Sequence, residues 1–460
     1  MSERRKELTA AGVVAAIVIL GALLSATGRL AAPPAGGQPE PAYVARAVFC
    51  PSSSGGSDSV QSVAVAAEDA APAPVKFDSV EILDARLRAG TQLVTRTDDP
   101  APSTVTGYGS GVVAGSATAA KAPVPGLGAV LCARAAANRW FFAAGSASLG
   151  SEQRILLYNP FPDEAVVRLT FFTPRGRETR TSFSEIPVPA GGSESVEINE
   201  AIQVRGTVAV VARAVRGRVV AWRELFGKPE RLPAGVQASL GASAPATNWY
   251  FPDGAIGPGV DERVFVLNPS GREAVVSVTV TTAGETIQAP RLMEVSVPRR
   301  STIAIPLEAH LRRPRATTGA GVTVNSLNGT AVVAERIMWY ETAGFEGVAS
   351  EIGAHSPADA WLLPPAAPAP AADAVAIMNV GSEAVTLDLS FLAGSSRPRA
   401  PRKLQGYELD PGTRVKLPVG EFTAARPRFV LVEATGPVVA ERFSSGAGDV
   451  ASVMGVPLRL

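Results

Sequence analysis

The sequence predicts an all-β protein made of tandem sandwich domains behind an N-terminal transmembrane helix. A strand–turn–strand unit with an Asn-centred turn recurs three times, and its flanking runs are rich in β-branched residues. Each recurrence belongs to a unit of about 100 residues without a convincing amphipathic helix, the size of an immunoglobulin-like or fibronectin-like β-sandwich. A propeller is disfavoured, because its blades run about 40–50 residues.

The N-terminal region predicts a membrane anchor. Residues 8–27 carry no charge, and as a helix they would span about 30 Å, the thickness of a bilayer core. Arg4, Arg5 and Lys6 precede the segment, which predicts a cytoplasmic tail at residues 1–7. Residues 28–43 are a Pro/Gly/Ala linker. The alternative is a cleaved signal peptide, whose apolar region is usually shorter. Both interpretations export the rest of the chain.

Residues 44–138 are predicted to form an N-terminal β domain, with strand-like alternation at residues 60–66 and 76–83. Cys50 and Cys132 are the only cysteines and lie near its two ends. Two cysteines in one exported domain most simply form a disulfide, and two free buried thiols are the alternative.

Three repeats follow, predicted at residues 139–235, 246–354 and 358–460, with residues 227–247 and 353–360 as connectors low in β-branched residues. Their shared landmarks are a Trp-led opening, a turn Asn, a Pro-headed turn, a hairpin with a Gly turn, and a last strand ending in Arg. In the three repeats these are Trp140, Trp249 and Trp361; Asn159, Asn268 and Asn379; Pro189, Pro298 and Pro411; Gly217, Gly329 and Gly436; Arg223, Arg336 and Arg442. One short helical turn is predicted within residues 305–311.

These landmarks resemble an actinobacterial family of exported proteins, domain of unknown function 5719. The shared features are the Trp-aromatic openings, the Leu-Asn-Pro turn, the Val-Val-Ala-Glu-Arg endings, an early Cys50-Pro51 and a second cysteine just before the first Trp. The third repeat departs from the pattern, with Asn379-Val380 in place of Asn-Pro. The resemblance implies β-rich repeats behind an N-terminal hydrophobic segment, and it implies no activity.

The sequence offers few groups for chemistry, and we expect no catalytic, metal or cofactor site. Residues 109–114 match a GxGxxA dinucleotide fingerprint, but the Pro- and Gly-rich residues after it cannot form the helix that this motif requires. His310 and His355 are the only histidines, and no ligands cluster near either at zinc spacing.

Two sets of repeated residues invite functional hypotheses. Glu335 and Glu441 occupy the same place in two repeats, where the first has Trp222, which favours a structural role on a solvent-facing rim with cross-strand charge pairs to the neighbouring arginines. The alternative is a carboxylate pair for glycoside hydrolysis. The three leading tryptophans are expected to pack rather than to stack on sugars.

Two basic clusters lie in predicted loops, one at Arg299, Arg300, Arg312, Arg313 and Arg315, the other at Arg397, Arg399, Arg402 and Lys403. They are solvated surface or a contact for an anionic envelope polymer or lipid headgroups. A net charge of +1 does not suggest nucleic acid. We therefore expect a non-catalytic, single-pass membrane protein that displays a structural or interaction module in the cell envelope. The alternatives are a binding module for wall glycan or anionic polymer, and an envelope hydrolase.

Overall fold

The computed structural model describes residues 45–51, 59–67, 73–77, 85–87, 91–97, 102–108, 112–120, 126–200, 202, 206–227, 235–311, 316–342, 344, 346–393, 398–423, 428–446 and 448–458. Over these residues the chain is all-β, as predicted, with several antiparallel sheets. None of the helices in these ranges is long and apolar enough to cross a membrane. The predicted anchor at residues 8–27 and the linker after it lie outside the described residues.

The N-terminal domain consists of two four-stranded sheets, ordered β1-β6-β3-β4 and β5-β2-β7-β8. Its strands are β1 (Ala45–Cys50), β2 (Ser59–Ala67), β3 (Ala73–Phe77), β4 (Ala85–Leu87), β5 (Gln92–Thr97), β6 (Ser103–Tyr108), β7 (Val112–Ala120) and β8 (Gly126–Leu131). A disulfide joins Cys50 at the end of β1 to Cys132 just after β8, which confirms the predicted pairing.

Repeat 1 has an inner sheet ordered β14-β10-β16-β17 and an outer sheet ordered β12-β11-β15-β9, with β13 beside β11. Its elements are β9 (Arg139–Phe142), β10 (Ser151–Tyr158), β11 (Ala165–Thr173), β12 (Gly176–Glu178), the 3₁₀ turn η1 (Thr181–Phe183), β13 (Ile186–Val188), β14 (Ser193–Glu197), β15 (Ala209–Arg216), β16 (Val220–Gly227) and β17 (Gly235–Leu240). Burial alternates along β11, as expected for a strand with one face on the core.

Repeat 2 follows the same plan, with sheets ordered β24-β20-β27-β28 and β18-β26-β21-β22, β23 beside β21, and a small β19–β25 pair. Its elements are β18 (Asn248–Phe251), β19 (Ala255–Ile256), β20 (Val260–Asn268), β21 (Ala274–Thr281), β22 (Thr286–Ile287), α1 (Pro290–Met293), β23 (Val295–Val297), β24 (Ser301–Pro306), η2 (Leu307–Ala309), β25 (Thr318–Gly319), β26 (Gly321–Ser326), β27 (Val333–Glu341) and β28 (Glu346–Ile352). The turn η2 confirms the short helical segment predicted there.

Repeat 3 merges its two sheets through one long strand. The elements are β29 (Ala358–Leu363), β30 (Ala372–Asn379), β31 (Val385–Phe391), η3 (Arg402–Leu404), β32 (Tyr407–Leu409), β33 (Arg414–Pro418), α2 (Gly420–Thr423), β34 (Val430–Gly446), β35 (Asp449–Met454) and β36 (Val456–Pro457). The first half of β34 pairs with β29 and β31, and its second half pairs with β30 and β35.

The predicted hairpins at the Gly turns are wrong. In repeats 1 and 2 the strands on either side of the turn belong to different sheets, because β15 pairs with β9 and β11 whereas β16 pairs with β10 and β17. Gly217 and Gly329 have positive φ and carry the chain across the sandwich. In repeat 3 the same crossing is made by β34 without a break. Sequence spacing alone does not distinguish a hairpin from such a crossing.

The last strand of each inner sheet is an edge strand that lies inside the molecule. We call β8, β17, β28 and β35 the inner edge strands. They contact one another in a closed cycle, β8 to β17 to β28 to β35 and back to β8. They are buried along almost their whole length, although an edge strand ordinarily faces solvent. Within the one compact unit that the described residues form, the N-terminal segment and the three repeats are therefore arranged as a ring, each contributing one strand to the centre.

This ring corrects the reading of residues 227–247 as a connector. The segment contains β17, which completes the inner sheet of repeat 1. Its sequence, Gly-Val-Gln-Ala-Ser-Leu, is short of β-branched residues because four strands approach one another closely around the axis, and small side chains permit that approach.

Candidate functional site

Each recurring Asn is buried and holds its turn by hydrogen bonds to the backbone. The Nδ2 group of Asn268 donates to the carbonyls of Arg272 and Val297 at 2.7 and 3.0 Å, and its Oδ1 accepts from the Ser270 backbone N–H at 3.0 Å. Asn159 and Asn379 make the corresponding bonds. The turn in repeat 3 therefore keeps this bonding pattern although Val380 replaces the proline.

The three leading tryptophans are structural. Trp140, Trp249 and Trp361 are at most 4% exposed. Their indole N–H groups donate to the carbonyls of Val219, Val332 and Val438 at 2.7, 2.8 and 2.9 Å. Each bond ties the first strand of a repeat to the point where β16, β27 or the second half of β34 begins. The covered rings leave no face for stacking on a sugar.

Repeats 1 and 2 meet at a buried ion pair. Arg223 Nη2 lies 2.7 Å from Glu335 Oε1, and neither side chain is exposed. The other oxygen of Glu335 accepts the Ala144 N–H at 2.8 Å, while Arg223 donates to the Ala144 carbonyl and to Ser239 Oγ at 3.1 Å. The prediction of a solvent-facing rim for Glu335 is wrong: both faces of its strand are covered, by the core of repeat 2 and by repeat 1.

Repeats 2 and 3 meet in the same way. Arg336 Nη2 lies 2.5 Å from Glu441 Oε1, and the Asp253 N–H donates to Glu441 Oε2 at 3.0 Å. Arg336 also donates to the Asp253 carbonyl. Burial raises the pKa of Glu441, and the attraction of Arg336 opposes that shift. Glu441 is fully buried, so its predicted exposed position is wrong for the same reason as that of Glu335.

Further buried charged side chains lie beside this junction. The buried carboxylate of Asp253 lies 2.8 Å from Lys416 Nζ and 3.6 Å from Arg414 Nη2. Glu262 is also buried and accepts the Ala255 N–H at 3.0 Å. Burial raises the pKa of Glu262 to about 7, although Arg336 acts in the opposite direction.

The remaining two junctions lack an interdomain Arg–Glu pair at these positions. In repeat 3, Arg442 makes a two-pronged bond to Asp373 of its own repeat, at 2.9 and 2.5 Å. Strand register places Gly115 of the N-terminal domain at the position of Glu335 and Glu441, and a Cβ atom there would collide with Pro364. At the fourth junction, the same register places Trp222 at the Glu position of repeat 1 and Ser116 at the Arg position of the N-terminal domain.

One end of the ring is closed by a single carboxylate. Asp449 begins β35, and its oxygens accept the backbone N–H groups of Leu127, Val348 and Val450 at 2.7–2.8 Å, with a further bond from Val236. One donor thus comes from each inner edge strand. Burial raises the pKa of Asp449 to about 7 against the opposing effect of these four bonds.

Three glycines make room for this carboxylate. Gly126, Gly235 and Gly347 precede the donors Leu127, Val236 and Val348 in the other inner edge strands. A Cβ atom on Gly126 would lie 2.6 Å from Asp449 Oδ2, and one on Gly347 would collide with Asp449 directly. Sequence reasoning missed this site, although its signal was present: Gly-Leu-Gly-Ala, Gly-Val-Gln-Ala, Gly-Val-Ala-Ser and Asp-Val-Ala-Ser align.

The other end of the ring opens into a cavity of about 550 Å³. It is lined by the ends of all four inner edge strands and by the loops that follow them. Glu351 is buried in this wall and accepts the N–H groups of Ile352 and Met454 at 3.0 and 2.9 Å. Burial, with a further contribution from Glu441, raises the pKa of Glu351 well above its usual value. Arg134 and His355 line the cavity and are exposed.

The predicted polymer-binding arginines fall into two groups. Arg299 and Arg300 are exposed at the turn before β24, and Arg300 has a φ of 53°. Arg312, Arg313 and Arg315 lie outside the described residues. In the second basic cluster, the cationic groups of Arg399 and Lys403 each lie 5.0 Å from the centre of the Phe422 ring, and Arg402 is exposed. Arg397 is outside the described residues.

The structure gives the other candidate residues no shared site. His355 is exposed at the cavity mouth, and His310 lies on the wall of a second cavity of about 530 Å³ in repeat 2. Across the described residues, no group of three or more His, Cys, Asp or Glu side chains is placed to hold a metal ion. Residues 112–114 of the GxGxxA match lie in strand β7 and not in the helix that a dinucleotide site needs.

Together these observations define an all-β protein whose sandwich-like domains close into a ring around the four inner edge strands. The sequence matches a family of unknown function, DUF5719, over residues 94–236 and 233–452. The chain belongs to this family.

No curated protein matches the chain. Among solved structures, a Thermotoga maritima protein (Thermotoga maritima 1070) is similar at 19% identity, with 24% of this chain and 94% of that one covered and a TM-score of 0.21. The Anabaena sensory rhodopsin transducer is similar at 22% identity, with 20% and 96% covered and a TM-score of 0.17.

Replacing Glu335 with Gln should strongly destabilise the ring, because Arg223 would keep its charge in a buried site without a counter-charge. We expect a loss of about 3–5 kcal/mol in the free energy of unfolding, measured by denaturant titration. The matched control is Glu164→Gln, which removes the partner of Arg216 from an exposed ion pair. That change should cost about 0–1 kcal/mol. Equal effects of the two substitutions would contradict the role assigned to the buried pair.

Replacing Asp449 with Gly gives all four inner edge strands the same residue at this position and leaves the converging N–H groups without their acceptor. We expect a lower unfolding temperature by calorimetry, because each buried unpaired donor costs about 1–3 kcal/mol. Because folding raises the pKa of Asp449 to about 7, the protonated carboxyl contributes stability that is fully present below about pH 4 and is lost as the pH rises through 7. The difference in unfolding temperature between the wild type and the variant should therefore be largest near pH 4 and smaller by pH 8. A pH-independent deficit would rule out this titration.

Proposed function

We propose that the protein is a membrane-anchored, non-catalytic structural or interaction module displayed on the outside of the cell membrane. The observation that carries the proposal is how the repeated polar residues are used. Arg223, Glu335, Arg336 and Glu441 are fully buried and join one domain to the next. An enzyme would present such charged residues to its substrate. In this protein they are buried between the repeats and join them.

Three further features support export. The disulfide between Cys50 and Cys132 is typical of an oxidising compartment. The uncharged segment at residues 8–27 has the length of a membrane span and follows three basic residues. The size and strand number of each repeat favour an immunoglobulin-like or fibronectin-like module, a type suited to display on a cell surface.

The hydrolase alternative gains no support. Glu335 and Glu441 are each bonded to an arginine and to a backbone N–H, and neither lines the cavities described above. A glycosidase needs two carboxylates facing a shared cleft.

Topology can be tested with single cysteines introduced into the full-length chain in intact cells. Ser182 is exposed in repeat 1, and Ser2 lies in the predicted cytoplasmic tail. We expect a small membrane-impermeant thiol reagent to label Ser182→Cys in intact cells and to label Ser2→Cys only after permeabilisation. Labelling of Ser2→Cys alone in intact cells would refute the proposed orientation.

A second candidate, binding to an anionic envelope polymer, rests on the exposed Arg299 and Arg300. Reversing both charges to Glu should lower retention of the full-length protein on isolated envelope, and the wild-type retention should fall with added salt because exposed charges are screened. The control reverses Arg213 and Arg218, which are exposed in repeat 1 and belong to neither basic cluster. Unchanged retention of the Arg299/Arg300 variant would remove this patch as a binding surface.

A further inference from the structure

The two ends of the ring differ in a way that suggests a ligand site. At one end Asp449 and the glycines around it fill the axis. At the other end the inner edge strands separate into the cavity of about 550 Å³. A cavity of about 300–1,000 Å³ suits a small ligand. We propose that this cavity binds a single-chain amphiphile, with its aliphatic tail between the strand ends and its anionic head at the mouth.

The wall has the chemistry that an aliphatic tail requires. Leu131, Leu240, Ile352 and Met454 occupy the same register position in the four inner edge strands, and all four line the cavity. The residues that follow them are small, which leaves space between the domains. Burial of an aliphatic chain against such a surface is favourable because it removes apolar area from water.

The same wall is poorly suited to a sugar. Trp140 and Trp249 line the cavity, but they are only 4% and 1% exposed, and their N–H groups are already bonded to backbone carbonyls. A sugar site needs an open aromatic face and several free polar groups. The cavity offers little of either.

Glu351 does not oppose an apolar occupant. Both of its oxygens accept backbone N–H groups, from Ile352 and Met454. Burial raises the pKa of Glu351 well above its usual value.

The head-group assignment comes from the mouth. Among the described residues that line the cavity, the titratable side chains besides Glu351 are those of Arg134 and His355, and both are exposed. A guanidinium favours an anion over a neutral or cationic head. A carboxylate and a phosphate head share this chemistry.

The probe for the test is dodecanoate carrying bromine at the end of its chain, a quencher of tryptophan fluorescence at short range. All five tryptophans lie at or beyond residue 140, so quenching reports on the ring and not on the N-terminal segment. The full-length chain is used in lipid nanodiscs. We expect saturable quenching by the acid and weaker quenching by the corresponding uncharged alcohol. A linear, non-saturating response to the acid would overturn the site.

Two variants and one control locate the tail and the head. Ala244 is exposed and lines the cavity, so Ala244→Phe should block entry and raise the apparent Kd for the acid about tenfold or more, with an unchanged unfolding temperature. Arg134→Glu should weaken binding of the acid but not of the alcohol, and Arg291→Glu, which is exposed and outside the cavity lining, should alter neither. If Ala244→Phe binds as wild type, the cavity is not the site. If Arg134→Glu affects acid and alcohol equally, the anionic head is wrong.

To distinguish a carboxylate head group from a phosphate head group, the bound brominated acid is displaced with either unbrominated dodecanoate or a monoacyl phosphate of the same chain length. Preferential displacement by one of them assigns that head to the site. Failure of both to displace the probe would overturn the proposal.

Discussion

The structure depends on the convergence of four backbone N–H groups on one carboxylate. A strand at the edge of a sheet carries unpaired polar groups, and burying four such edges around an axis would leave donors without acceptors. Asp449 removes that cost at one end of the ring because its two oxygens accept a bond from every inner edge strand. The other three strands have glycine at this position, since a second side chain would not fit.

The buried arginines show how four similar domains keep a fixed order. A buried ion pair adds little net stability compared with apolar packing, but a broken one is costly. The Arg223–Glu335 and Arg336–Glu441 pairs therefore penalise any arrangement that separates repeat 1 from repeat 2 or repeat 2 from repeat 3. Arg442 has no such carboxylate from the N-terminal domain, where Gly115 holds the position, and Asp373 of its own repeat takes that role.

The repeat landmarks were predictable because they depend on local chemistry. Asn268 holds its turn by hydrogen bonds to nearby backbone groups, and Trp249 bonds to a carbonyl of its own repeat. The regular spacing of these residues in the sequence was therefore enough to locate both. Glu335 and β17 were misread because their burial comes from other domains. An edge strand next to solvent and one next to a neighbouring domain follow the same local rules, and only the closed cycle distinguishes them.

The cycle also explains why the asymmetric residues are the informative ones. In a ring of similar domains, a shared residue such as Trp140 or Asn159 serves the fold of each sandwich. A residue that appears once serves the assembly of the domains: Asp449, among three glycines, bonds to all four inner edge strands, and Glu351, at the open end, bonds to β28 and β35. The difference between the filled end and the open end arises from such single residues, because the backbone around the axis is repeated. Properties specific to this protein are therefore expected at positions where one repeat differs from the others. These positions lie on the axis and at the open end of the ring.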